Sequence, residues 1–244
     1  MTAKEARQYQ WQQLKGKPLT AKLKHIFTFY WPIILTCVFV IVLATSWIGN
    51  ILSQKELVLS GYFLNSGVSE SYEGDFGVEF LELLELDPEE YHFKITSNVS
   101  YSTDEMSETS MYVMESLAAQ SAAGELDFFV VDAKTHPVFS SYYIDLRTVL
   151  TAEQQERWSP YFVYVEKDAL EAWTSGSIGA EIVYPEYYTS AENMLDPIPL
   201  GIRLPETCKL LEAYLFPKGD VILSVAASVV NTENTLAFLE YILP

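Results

Sequence analysis

Leu126-Asp127-Phe128-Phe129-Val130-Val131-Asp132 is a short, continuous apolar run ending on an aspartate. Aromatic and β-branched side chains fall at successive positions, so both faces of the segment are apolar. That fits a strand buried between helices better than one with a face in water. The residues before it fit the same picture. A long helix is predicted from Thr103 or Asp104, with Met106, Met111, Met114, Leu117 and Ala118 on its inner side and Gly124 as its stop. Helix, glycine stop and doubly buried strand together predict an α/β domain with a largely parallel sheet flanked by helices.

Working outward, the alternation continues in both directions. Upstream, Glu56–Leu64 reads as a strand, 74–86 as an amphipathic helix stopped by Pro88, and Tyr91–Val99 as a strand of period two. Downstream, a regular stretch begins at 199–202. A helix at about 206–214 follows, then a strand at 221–227 and a final helix Thr232–Ile242 capped by Asn231. The middle, 161–196, is aromatic and broken by Gly176, Gly179 and Pro185; it reads as irregular structure with short strands. No repeat and no Gly/Ser-rich linker divides residues 53–244, so they form one domain.

The charge is segregated along the chain. Lys4, Arg7, Lys15, Lys17, Lys22 and Lys24 face only Glu5 before residue 26, whereas nine bases face 32 acids after residue 52. Between them, residues 26–54 carry no Asp, Glu, Lys or Arg. A bilayer core of about 30 Å needs roughly 20 apolar residues, which predicts a transmembrane helix over 26–52. Tyr30, Trp31 and Trp47 fall near its ends, as interfacial rings do, and Pro32 is expected in its first turn. A cleaved signal peptide is the rival reading. Its apolar region spans about 7–15 residues before a small-x-small site, and Ala44-Thr45-Ser46-Trp47 is a poor one. A buried core helix is a weaker rival still.

The bases then mark residues 1–25 as a cytoplasmic tail and place 53–244 outside the cell, anchored by a single-pass signal anchor in the cell membrane. The tail's default partner is anionic lipid. An acidic outer domain excludes nucleic acid, whose phosphates need a basic patch. Cys37 lies in the span and Cys208 outside it, so no internal disulfide forms. Cys208 is expected as a buried small hydrophobe.

Residues 115–132, from Glu115-Ser116-Leu117 through the glycine stop to Val131-Asp132, resemble the helix-to-strand unit in the first lobe of bacterial extracellular solute-binding proteins (the periplasmic-binding-protein-like type II family). Tyr143-Ile144-Asp145-Leu146 is similar to the segment that follows there. Val221 to Asn231, with the helix after it, is similar to the family's crossover strand and its closing asparagine-plus-helix. Lys22-Leu23-Lys24 and Phe29-Tyr30-Trp31 ahead of the anchor look like membrane-tethered members from Gram-positive bacteria. The resemblance implies a transport-related, non-catalytic module that binds a small solute or peptide at the cell surface. The chain is short for a two-lobed member, and the deficit falls at 161–196, so the second lobe is expected to be reduced or absent. The alternative is an interaction or assembly domain of a membrane complex, such as a transporter, that has lost its ligand.

Chemistry is sparse. The outer domain holds His92 and His136 but no Gly-x-Ser-x-Gly elbow, His-Glu-x-x-His helix or phosphate loop. No catalytic residue, cofactor or metal is expected, since Asp87-Pro88-Glu89-Glu90 and Tyr72-Glu73-Gly74-Asp75 lack the ligand spacing of a calcium loop. Asn98-Val99-Ser100 matches a glycosylation acceptor and is read as coincidence. Ligand sites in open α/β sheets lie beyond the C-terminal strand ends. That rule nominates Asn65, Asp132, Thr135 and Ser228, with Trp173 and Tyr187 as an opposing aromatic wall.

Overall fold

The computed structural model describes residues 18–52, 55–103, 107–175, 185–217 and 219–244, without the side chains of 21, 22, 25, 26, 29, 30 and 48–52. Two units form, Met1–Gln54 and Lys55–Pro244.

The first unit holds helix α1, Leu19–Leu52. It starts directly after Pro18 and so takes in part of the stretch expected as tail. No breaker separates Leu19 from Ile26, and a nucleated helix propagates through ordinary residues at little cost. Pro32 therefore lies inside the helix and not in its first turn. Having no N–H, it leaves the Thr28 carbonyl without its usual helical donor. Thr36 and Thr45 turn their hydroxyls back onto the carbonyls of Pro32 and Ile41, at 2.9 Å each. Among the described residues no helical run meets the length and apolarity needed to cross a membrane. The continuous run of described side chains covers residues 31–47 only.

The second unit is built on a six-stranded sheet. Its strands are β1 (Glu56–Leu64), β3 (Tyr91–Val99), β4 (Phe128–Asp132), β5 (Phe162–Glu166), β6 (Pro197–Arg203) and β8 (Val221–Val225), in the order β3-β1-β4-β8-β6-β5. The β1–β3 and β1–β4 pairs are parallel, whereas β4–β8, β8–β6 and β6–β5 are antiparallel. Strands β3, β1, β4 and β6 thus share one direction, and β8 and β5 oppose it. A small antiparallel ribbon pairs β2 (Gly67–Val68) with β7 (Tyr214–Leu215).

Strand β4 is buried over its whole length, as its composition requires. Phe128 and Val130 join one core with Leu59, Phe63, Phe93 and Phe238, while Phe129 and Val131 join the other with Val113, Leu117 and Phe139. Helices α2 (Phe76–Leu83) and α7 (Thr232–Ile242) cover the first face, and α3 (Glu108–Ala123) the second. Gly61 of β1 makes room for the Phe128 ring; a Cβ there would lie 2.4 Å from its tip.

Helix α3 is capped by Ser107 and ends on Gly124 in the left-handed region at φ 68°. Its buried stripe is Ser110, Val113 and Leu117, while Met111 is exposed. Of the expected inner face, Leu117 is buried and Met114 packs half-buried on the same core, whereas Met111 and Ala118 are exposed and Ser110 and Val113 complete the stripe. Met106 lies outside the described residues. Asn231 stands at the start of α7 but its side chain makes no capping bond. The buried Asp127 carboxylate accepts instead from the Ser60 and Asn231 amides, at 2.8 and 3.4 Å.

The segment 161–196 is not a separate lobe in the described residues. It follows helix α4, Ala152–Trp158, and supplies β5, a short strand as expected, to the central sheet, together with a helix α5, Lys167–Thr174, where irregular structure was expected. Residues 176–184, including Gly176 and Gly179, lie outside the description. The helix expected over 206–214 shrinks to the single turn α6, Leu210–Ala213, because the chain must extend at Tyr214 to pair with β2.

Candidate functional site

The common direction of β1, β3 and β4 brings their C-terminal ends to one edge of the sheet. Asn65 follows β1 and Asp132 ends β4, so two of the nominated residues meet there. The Asn65 amide donates to Asp132 Oδ2 at 2.7 Å and to Thr135 Oγ1 at 3.1 Å. Asp132 Oδ1 accepts from the Thr135 amide at 3.0 Å and from its hydroxyl at 3.1 Å. Asn65 Oδ1 accepts from the Tyr101 amide at 2.9 Å. Both Asn65 amide hydrogens are therefore committed, and the three residues are 7, 0 and 2% exposed. These groups satisfy one another, as buried polar groups must.

Beside this triad the turn His136–Tyr142 buries His136, Val138, Phe139 and Ser140. His136 is fully buried, with Nε2 2.6 Å from Ser224 Oγ and Nδ1 without a partner among the described residues. Its ring stacks on Tyr143 at 4.4 Å and meets the edge of Tyr187 at 4.7 Å. Burial pushes the imidazole down to about 3, so it is neutral at physiological pH. The Tyr187 hydroxyl lies 2.8 Å from Ser140 Oγ, and α5, which carries the half-buried Trp173, packs on the same turn. The two aromatics expected as a wall thus come to this end of the sheet, but Tyr187 fills the space they were expected to enclose.

Ser228 does not join them. Because β8 runs against β4, its C-terminal end lies at the opposite edge, and Ser228 Oγ donates to the Leu126 carbonyl at 3.1 Å. The sequence rule assumed a β8 parallel to the rest.

On the other side of Asn65 the edge is open. A cleft of about 650 Å³ is lined by Asn65, Ser66 and Gly67 after β1, by Asn98, Val99 and Ser100 at the end of β3, and by Leu215, Phe216 and Pro217. Its volume falls in the range of about 300–1,000 Å³ typical of ligand sites. A bulge shapes it. Tyr62 pairs with Thr96 but Leu64 with Val99, so β3 holds one extra residue there, and Asn98 takes the left-handed φ of 59°. Bulges of this kind re-aim side chains beside sites. Asn98 and Ser100 are exposed at the rim, and Val68 and Leu215 of the ribbon, 54% exposed each, extend it with apolar surface. Among the described lining residues none is ionisable.

Sequence reasoning missed Ser66, Asn98, Ser100 and 215–217. Asn98-Val99-Ser100 was visible as a polar interruption of an alternating strand, but a bulge cannot be told from ordinary alternation without its partner strand. Cys208 is buried as expected, its thiol pushed up to about 11 by desolvation. Comparison with protein-family models and with curated proteins finds no match.

Proposed function

We propose that this chain is a membrane-anchored, non-catalytic binding module of the solute-binding type, with residues 53–244 outside the cell and a small molecule or peptide as ligand. The observation that carries the reading is the open cleft at the C-terminal ends of β1 and β3, where α/β sheets place their ligands. The opposed β8 between β4 and β6 supports the family resemblance, since it is the strand likened to the crossover strand.

The anchor reading rests on α1. Leu35, Val38, Phe39, Val40, Ile41, Val42 and Leu43 are all more than half exposed on every side of the helix. A helix apolar all round and unburied belongs in hydrocarbon. At 34 residues and about 1.5 Å each it exceeds a bilayer core of about 30 Å, leaving turns to project beyond it.

One observation favours the second reading, an interaction or assembly domain beside a membrane complex such as a transporter. The region around Asp132 and His136, where a deep solute pocket was expected, is filled by the chain's own Tyr187 and Tyr143.

The test is a thermal-shift screen of the full chain in detergent against sugars, amino acids and short peptides. A ligand at 100 times its dissociation constant adds about 2.7 kcal/mol of stability. A hit whose amide-shift footprint centres on Asn98 and Ser100 supports the module; silence across all classes removes it and leaves the assembly reading.

A further inference from the structure

The cleft has the wrong shape for a buried solute and the right one for a strand of another protein. Pockets for small molecules cover most of the ligand's surface. This one has walls from three chain segments and no opposing lobe among the described residues. It opens onto the β2–β7 ribbon, where Val68 and Leu215 stand exposed, and it adjoins β3, the terminal strand of the sheet. An extended segment laid across the cleft would cover both exposed side chains and place alternate residues in it.

Charge selects among such segments. The stretches that lead into and out of the cleft, 66–79 and 206–220, carry seven acids, among them Glu70, Glu73, Asp75 and Glu212, against only Lys209 and Lys218. Glu70, Glu73, Asp75 and Glu212 are exposed. The Ser69 amide donates to the Ala213 carbonyl at 2.9 Å just beyond the β2–β7 pairing, which brings Glu70 and Glu212 together at one end of the ribbon. An apolar cleft continued by a ribbon with an acidic end is complementary to an apolar anchor flanked on one side by Lys or Arg.

We infer that the cleft at Asn98 and Leu215 docks an extended protein segment carrying apolar side chains beside basic ones. The inference rests on the binding-module reading and names its ligand class. It separates this site from any enclosed solute pocket.

The experiment uses the full chain in nanodiscs of uncharged lipid and three probes: a fluorescent peptide alternating Lys with Leu, its Glu-for-Lys counterpart, and maltotriose. The expected result is saturable binding of the basic peptide alone, weakened about tenfold or more between low and high salt because exposed charges are screened. Gly67→Leu should reduce binding by about tenfold or more, as loss of a central contact does. A Cβ at Gly67 meets only Asn98 Oδ1 among the described residues, at 3.7 Å, so the branch point is accommodated, and an unchanged melting temperature of Gly67→Leu checks that the fold is kept. Leu215→Ser is the second variant and should weaken binding in the same direction. Equal binding of both peptides, or full binding to Gly67→Leu, overturns the inference. Binding of maltotriose with the peptides silent also overturns it, yet leaves the module reading standing. Silence of all three probes overturns the inference here, and the broader ligand screen then decides the module reading.

Discussion

One sheet edge carries two polar regions that lie side by side and have opposite characters. Around Asp132 and His136, the side chains of Asn65, Asp132, Thr135, His136 and Ser224 bond to one another in two buried groups closed from water, with His136 Nδ1 left without a partner among the described residues. Around Asn98 and Ser100, polar side chains face solvent across an open cleft. Asn65 belongs to both, lining the cleft while its side-chain amide is locked into the closed network. The difference teaches that position at the C-terminal edge nominates a site, but hydrogen-bond saturation decides which part of that edge is scaffold and which is free to bind.

The largest expected effect breaks the comparison if it fails. Asp132→Ala strips acceptors from the Asn65 amide and from the amide and hydroxyl of Thr135, all in a fully buried place. Each orphaned group costs about 1–3 kcal/mol, so a loss of about 3–5 kcal/mol is expected in denaturant unfolding. A loss below about 1 kcal/mol would mean that the network is not structural and that Asp132 is free for a ligand.

His136 comes next. Its folded pKa of about 3 lies below the ordinary value of 6.5, so the unfolded chain binds the proton first as pH falls. Stability from a neutral His136 is complete above about pH 6.5 and declines steadily down to about pH 3. The loss across that window should be on the order of a few kcal/mol. In His136→Gln the same acid limb, followed by urea midpoints at successive pH values, should flatten. An unchanged limb would place the ring in contact with water.

Much of the fold was legible because periodicity reports burial. The bounds of β1, β3 and α7 emerge from local pattern alone, since each has a regular alternation or a helical stripe with clear stops. Three features were not legible, and each depends on a partner distant in sequence. The direction of β8 is set by pairing with β4, and with it the displacement of Ser228. The bulge at Asn98 exists only in register with β1. The extension of 214–215 needs β2 to pair with. The site was half legible: Asn65, Asp132 and Thr135 do meet, but a side chain's sequence neighbours do not tell whether its hydrogen bonds are already used.

Two glycines sharpen the contrast. At Gly201 a Cβ would meet Ile222 Cγ2 at 2.5 Å, Ser224 Oγ at 2.8 Å and His136 Nε2 at 3.2 Å, whereas at Gly67 it meets only the Asn98 oxygen at 3.7 Å. Gly201→Ala should therefore destabilise by about 1–3 kcal/mol, as overpacking does. Gly67→Ala should stay within about 0.5 kcal/mol of the parent. Thermal unfolding of the pair checks both. Equal effects would show that the two regions do not differ in packing.

The smallest effect concerns what holds the closed region shut. Tyr187 reaches the His136–Tyr142 turn from a segment tied to β5 by the Tyr164–Tyr188 bridge, and its hydroxyl meets Ser140 Oγ at 2.8 Å. Tyr187→Phe removes that hydroxyl and keeps the ring edge on His136, so it should cost about 1 kcal/mol, the net value of one hydrogen bond. Amide exchange at Ser140 and Tyr188 should quicken by about fivefold if opening of this segment exposes them, since 1 kcal/mol is worth that factor. The cleft lies on the far side of Asn65, so amide shifts at Asn98 and Ser100 should stay unchanged. Shifts there would mean that the closed and open regions move together, and that Tyr187 governs the cleft as well as the region it fills.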